Sequence, residues 1–135
     1  METIFSKIIA GLIPCEKVYE DEHTFAFLDN TPVNPGHTLV LPKKWSSDML
    51  DADAETLAHI MNTVQKVAKA VMEATGATGI NIAQNNRADA GQKVFHLHFH
   101  VIPRHAGDGF EHWHGKGYES PEQAKELGEQ IRKML

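Results

Sequence analysis

Two hydrophobic rhythms alternate along the chain. Ile4, Phe5, Ile8, Ile9 and Leu12 recur at the spacing of one helical face, and Gly11 with Pro14 closes that segment, which predicts a short amphipathic helix. Lys17-Val18-Tyr19-Glu20 and Thr24-Phe25-Ala26-Phe27-Leu28, parted by the polar Asp21-Glu22, read as two strands joined by a tight turn. The turn-forming stretch from Asp29 to Gly36 then leads into His37-Thr38-Leu39-Val40-Leu41, a buried third strand stopped by Pro42. From Leu57 through Ile60, Met61, Val64, Val67, Ala68, Val71 and Met72 the apolar steps are three and four again. This is the main helix, ending near Gly76, with Asp51 and Asp53 placed to cap its positive end.

Beyond it, Gly79 to Ala83 alternates like a strand, residues 85 to 91 are loop-like, and Val94 to Ile102 alternates again, so these two runs are expected to pair antiparallel. Ser120-Pro121-Glu122-Gln123 has the form of a capping box with proline at the first helical position, opening a short C-terminal helix. The expected fold is α+β: an antiparallel sheet of about five strands, one long helix packed behind it, and short helices near both ends.

With 135 residues, no internal repeat and no linker-like tract, residues 1–135 are expected to form a single domain. The formal charge of -5 argues against a broad basic surface for duplex nucleic acid, and no apolar run is long enough for a membrane span. Cys15 is the only cysteine, so neither an internal disulfide nor a thiolate cluster is available, and a reducing, cytoplasmic setting is expected. The composition departs from the ordinary in one respect: nine histidines, three of them within His96-Leu97-His98-Phe99-His100.

On a strand, His96, His98 and His100 share one face while Leu97, Phe99 and Val101 share the other. At about 3.3 Å per residue, neighbouring histidine Cα atoms stand about 6.6 Å apart and the outer pair about 13 Å apart. A metal needs nitrogen atoms about 2.0 to 2.1 Å away, so two of the three can share an ion but all three cannot without strain. An elongated anionic substrate fits the row better, because each imidazole then meets a different atom. Neutral imidazole is a good nucleophile toward phosphorus, and with an ordinary pKa of about 6.5, neighbouring histidines can hold different protonation states near neutrality. One attacks and another handles the proton.

The block Gly91-Gln92-Lys93-Val94-Phe95-His96-Leu97-His98-Phe99-His100-Val101-Ile102 is similar to the His-x-His-x-His-x-x signature of the histidine triad family of nucleotide hydrolases and transferases. Phe5 to Gly11, Val18 to Asp21 and Asn34 to Lys43 resemble family blocks in the same order, so the resemblance spans nearly the whole chain. The tail Ile102-Pro103-Arg104 with Gly107 to Phe110 resembles bacterial and fragile-histidine-triad-like members, and the length resembles the small Hint-like branch.

The resemblance implies that His98 attacks the α-phosphorus of a nucleotide and becomes a nucleotidyl-histidine that water releases. His100 is implied as its electrostatic and proton-transfer partner, and His96 and His37 as the histidines that orient the row. It implies that Asp29 meets the ribose hydroxyls, that Asn85, Gly91 and Gln92 form the phosphate-contacting loop, and that Phe5, Ile8, Phe27 and Leu28 wall the base pocket, although these four also read as ordinary core positions. Lys93 stands where relatives place Ser or Thr against a phosphate or leaving group.

The implied substrates are purine nucleoside 5'-phosphoramidates or related nucleotides. The implied assembly is a homodimer, and no cofactor is implied. Some bacterial members hold a structural zinc through two N-terminal cysteines and a histidine after the Pro-Lys-x segment; here Thr3 to Ser6 lacks cysteine and Trp45 takes that histidine's place, so no zinc is expected. Other readings remain: a dinucleoside polyphosphate hydrolase, a nucleotide-binding regulatory module with incidental hydrolysis, or a metalloprotein using two of the histidines. His23, His59, His105, His112 and His114 read as incidental, the last three lying in a glycine-rich loop.

Overall fold

A computed structural model describes residues 1–135. Helix α1 (Ile4–Ile9) precedes strands β1 (Lys17–Glu20), β2 (Thr24–Leu28) and β3 (Thr38–Pro42). The long helix α2 (Ala54–Thr75), strands β4 (Gly79–Ala83) and β5 (Phe99–Arg104), and helix α3 (Pro121–Met134) follow. The strands form one antiparallel sheet in the order β1-β2-β3-β5-β4, so the fold is α+β, as the sequence pattern predicts. No helix is long and apolar enough to cross a membrane.

Each helix starts at a side-chain cap. Asp53 accepts from the Thr56 N–H at 2.8 Å to open α2, and Gly76, in the left-handed region at φ 71°, ends it. The stripe Ile60, Val64, Val67 and Val71 packs beneath the sheet on Ala26, Val40, Leu97, Phe99 and Val101. Each such aliphatic burial is worth roughly 1.5–3 kcal/mol before conformational entropy is subtracted. On the other face of the sheet, Phe5 and Ile8 of α1 cover Phe25, Phe27, Leu39 and Leu41. Helix α1 stops at Ile9 rather than reaching Leu12, because Gly11 turns left-handed and Leu12 is exposed.

The histidine run departs from the expected strand. Pairing of β3 with β5 begins at Val40 with Phe99, so His96 and His98 lie ahead of the strand, which continues instead through Pro103 and Arg104. The ladder ends there because its hydrogen bonds go elsewhere. The Leu97 N–H donates to the Ser46 carbonyl at 2.9 Å, and the Pro42 carbonyl is taken by the His96 side chain. Alternation nevertheless persists, since Leu97, Phe99 and Val101 all enter the core against α2.

Two further features set the positions of the site loops. Gly36, at φ 100°, passes so close to α2 that a Cβ there would stand 2.6 Å from Thr75 Cγ2. At the far end of β5, Arg104 pairs in fork fashion with Asp108 at 2.8 and 2.9 Å, and Asn34 joins Asp108 at 3.0 Å, tying the segment after β5 to the loop before β3.

Candidate active site

His37 precedes β3, His100 sits in β5, and Leu39 pairs with His100, so these residues meet on the sheet face that carries α1. His37, His96 and His98 are 3%, 1% and 8% exposed, and His100 is half-buried. The Phe5 ring packs edge-on against His98 with centroids 4.9 Å apart, and the His98 and His100 centroids are 5.1 Å apart.

Backbone groups, whose donor and acceptor roles are not in question, assign the protons. His98 Nδ1 lies 2.7 Å from the His96 carbonyl and must donate to it, which leaves Nε2 with a free lone pair. His96 Nε2 donates to the Pro42 carbonyl at 2.9 Å, so His96 Nδ1 is an acceptor. His37 Nδ1 accepts the Val33 N–H at 3.0 Å, so the proton of neutral His37 is on Nε2, which donates to His100 Nδ1 at 2.9 Å. The proton of neutral His100 is therefore on Nε2. One bare nitrogen, on His98, thus sits beside one N–H donor, on His100.

Burial pushes the pKa of His37, His96 and His98 below the ordinary imidazole value, opposed for His37 by the Asp29 charge, for His96 by its bond to the Pro42 carbonyl, and for His98 by its bond to the His96 carbonyl and then by the Asp29 charge. His100 is held at about 4, chiefly by burial and then by the positive charge that neighbouring His98 and His37 would carry. All four rings are therefore neutral at pH 7. At that pH His100 offers an N–H hydrogen-bond donor and not an imidazolium.

The remaining predicted residues divide. Asp29 Oδ1 accepts from the Thr31 N–H and hydroxyl at 2.9 and 3.2 Å, while Oδ2 stands 3.6 Å from His37 Nε2, so the carboxylate lies beside the histidines. The Asn85 carboxamide lies beside Gly91, 3.5 Å from where a Cβ would stand, and Gly91 is left-handed at φ 94°. Because Ala83 pairs with His100, the loop that follows β4 runs back along the histidine row.

Gln92 is occupied within the protein. Its Oε1 accepts the Arg87 N–H at 2.7 Å, and its Nε2 donates to the Ser47 and Val94 carbonyls at 2.7 and 3.1 Å. It braces the loop, whose Arg87 holds φ 73° and ψ 162°, a region that ordinarily belongs to glycine. Lys93 is exposed. Phe5, Ile8 and Phe27 are buried on the histidine face, whereas Leu28 pairs with Thr38, which pairs in turn with Val101 of the α2 core, so Leu28 belongs to the opposite face. Of the incidental histidines, His23 and His59 stack on each other with centroids 3.7 Å apart, and His112 and His114 are exposed.

Ligand atoms of Asp29, His37 and His100 lie within 4.8 Å of one another, the makings of a metal site by residue type. The proton assignment opposes it. A metal on His37 Nε2 would move that proton to Nδ1, where it would face the Val33 N–H, donor against donor. The segment where relatives place the zinc-binding cysteines and the position of their histidine do not fit a metal either, because Thr3 and Ser6 hydrogen-bond reciprocally and Trp45, in the histidine's place, donates its Nε1–H to the Phe95 carbonyl.

Several orienting groups escape sequence reasoning: the Val33 N–H, the Pro42 carbonyl, and the Thr3 hydroxyl, 3.2 Å from His96 Nδ1. Main-chain groups leave no signature in residue identity. Thr3-x-x-Ser6 ahead of an apolar run does signal a helix cap, though not its contact with His96.

Fold and site together define an α+β protein that carries a largely buried histidine cluster on the sheet face covered by α1, opposite its long helix. The HIT domain family matches residues 10–107. The Protein hit of Bacillus subtilis is 44% identical, the alignment covering 98% of this chain and 93% of that one. The adenosine 5'-monophosphoramidase hnt1 of Schizosaccharomyces pombe is 42% identical, with 97% and 96% covered. The crystal structure of a HIT family member from Bacillus subtilis superposes with a TM-score of 0.92 at 41% identity, covering 100% of this chain and 98% of that one. The chain belongs to the histidine triad (HIT) family.

Proposed function

We propose that this protein is a nucleotide hydrolase that cleaves purine nucleoside 5'-phosphoramidates through a nucleotidyl-histidine on His98. The observation that carries the reading is the proton arrangement: a bare His98 Nε2, imposed by the His96 carbonyl on Nδ1, beside a His100 Nε2–H, imposed by the His37 side chain, whose own tautomer the Val33 N–H sets. Similarity to the phosphoramidase of Schizosaccharomyces pombe supports the substrate class.

In the first step, His98 Nε2 forms a bond to the α-phosphorus and the bond from phosphorus to the leaving nitrogen breaks. The amine departs with that electron pair and takes a proton from water. Positive charge develops on the His98 ring, and the His96 carbonyl, already accepting from Nδ1–H, stabilises it. His100 Nε2–H hydrogen-bonds to the phosphoryl oxygen or leaving atom. In the second step, water attacks phosphorus and gives up one proton to solvent, replacing the one the departing amine took, while the P–Nε2 bond breaks with its electron pair returning to His98 and a nucleoside monophosphate leaves. Asp29 would receive the ribose hydroxyls, Asn85 and the Gly91 turn the phosphate, and Phe5, Ile8 and Phe27 would back the base, with Lys93 near the leaving group and Gln92 bracing their loop.

Incubation with adenosine 5'-phosphoramidate, followed by a denaturing quench at alkaline pH, where a bond from phosphorus to histidine survives, and intact-mass measurement, tests the reading. Wild type should release AMP and carry one adenylyl group, and His98→Ala should do neither. Equal AMP release by both proteins would remove His98 from the chemistry. The protein is further proposed to form a homodimer, which sedimentation equilibrium would show as twice the chain mass; α3, none of whose residues is buried in one copy, is consistent with that.

A further inference from the structure

Thr3 and His96 are 93 positions apart and meet at 3.2 Å. His96 is 1% exposed, so water does not take the place of a missing partner. Since His96 Nε2 donates to the Pro42 carbonyl, Nδ1 holds a lone pair and the Thr3 hydroxyl must donate to it. The same hydroxyl accepts the Ser6 N–H at 3.1 Å, and the Ser6 hydroxyl accepts the Thr3 N–H at 2.7 Å and donates to the Thr3 carbonyl at 2.8 Å. Thr3 therefore has one hydroxyl in two functions, capping α1 through its lone pair and holding His96 through its proton.

We infer that Thr3 is a positioning residue for the nucleophile. It holds the His96 ring against the Pro42 carbonyl, and the main-chain carbonyl of that same His96 receives His98 Nδ1–H at 2.7 Å. Through this residue the start of α1 reaches the tautomer of His98. Phe5, two residues further on, reinforces the coupling by packing edge-on against both rings, at 4.9 Å from His98 and 6.2 Å from His96. A cap alone would stabilise α1 and leave the histidines indifferent to the hydroxyl proton. The inference rests on His98 as nucleophile and adds a residue from outside the histidine motif to its support.

Three variants separate capping from positioning. Thr3→Ser keeps both functions, Thr3→Asp keeps a good cap but has no proton to donate, and Thr3→Val loses both. Thr3→Val and Thr3→Asp should each lower kcat on adenosine 5'-phosphoramidate roughly tenfold with KM largely unchanged, the effect of one hydrogen bond, while Thr3→Ser stays near wild type. Thermal stability should fall most in Thr3→Val, which loses both the cap and the bond to His96, and less in Thr3→Asp, which loses only the latter. The 15N shifts of the His96 ring, read by NMR in the resting protein, should change in Thr3→Val and Thr3→Asp and not in Thr3→Ser. Thr3→Asp with wild-type kcat and unchanged His96 shifts would reduce Thr3 to a cap and overturn the inference. Failure of the nucleophile assignment would show separately, as wild-type turnover by His98→Ala, while the His96 shifts still report whether Thr3 holds that ring.

Discussion

His37 Nε2 donates to His100 Nδ1 across 2.9 Å, and this bond decides which nitrogen of His100 carries the N–H. Its direction is set one step further away, where the Val33 N–H occupies His37 Nδ1. A turn amide thus dictates the tautomer of a side chain on another strand. Replacing His37 by Ala leaves His100 free to place its proton on either nitrogen. The loss of this buried partner should lower kcat by roughly 5- to 100-fold. Initial rates of AMP release at saturating substrate measure it, and a wild-type rate would mean that the His100 proton does not matter.

The pH dependence of the rate follows from the depressed values. With His98 pushed below the ordinary imidazole value of about 6.5, its neutral form is present throughout neutral pH. A plot of kcat/KM should therefore be flat near pH 7 and fall only on the acid side, with its midpoint below about 6.5. A limb centred above 7 would contradict a buried, neutral nucleophile.

The same burial makes stability depend on pH. His100 titrates at about 4 in the folded protein and near 6.5 unfolded, so between those values the unfolded chain binds the extra proton. Unfolding free energy therefore rises with pH across that window. Equivalently, a penalty on the folded state grows as pH falls below 6.5 and levels off near 4. Urea unfolding at pH 7 and pH 5 should show wild type losing more stability between the two than His100→Gln does. Equal losses would show that His100 does not carry this dependence.

Gly36 is required by both conformation and space. A Cβ would stand 2.6 Å from Thr75 Cγ2 with the backbone at φ 100°, so Gly36→Ala should cost roughly 2 to 4 kcal/mol and disturb the adjacent His37. Adding Thr75→Ser removes the methyl but not the backbone strain, and keeps a hydroxyl for the Val71 carbonyl. Chemical denaturation of the single and double variants should show partial recovery. No recovery would assign the whole cost to the backbone.

Gln92 should behave as a brace. Gln92→Ala removes three hydrogen bonds, to the Arg87 N–H and the Ser47 and Val94 carbonyls, and should destabilise the protein by roughly 1–3 kcal/mol while raising KM through a loosened loop. If adenylyl-His98 still accumulates at saturating substrate, the chemistry has survived the change. A rise in KM with unaltered thermal stability would point instead to direct substrate contact.

Periodicity in the amino-acid sequence determined the α+β class, the five strands, the long helix with its Asp53 and Gly76 caps, and the α3 capping box. Those are local choices: side-chain spacing, turn residues and caps act within a few positions of one another. The alternation of His96, His98 and His100 with Leu97, Phe99 and Val101 was legible for the same reason, and it marked the site.

What the chain pattern could not contain is who meets whom. The Val94 to Ile102 run alternates like a strand, yet the ladder starts only at Phe99, because the Pro42 carbonyl is taken by a histidine side chain and Leu97 bonds to Ser46. Gln92 reads as a phosphate-loop residue and turns inward because Arg87, Ser47 and Val94 converge on its carboxamide. Leu28 differs from Phe27 by one position and so belongs to the opposite face. Above all, a histidine in the sequence carries no tautomer. That is decided by Val33, Pro42, Thr3 and the His96 carbonyl, partners brought close only by folding, because a proton settles on whichever ring nitrogen lacks a donor in front of it.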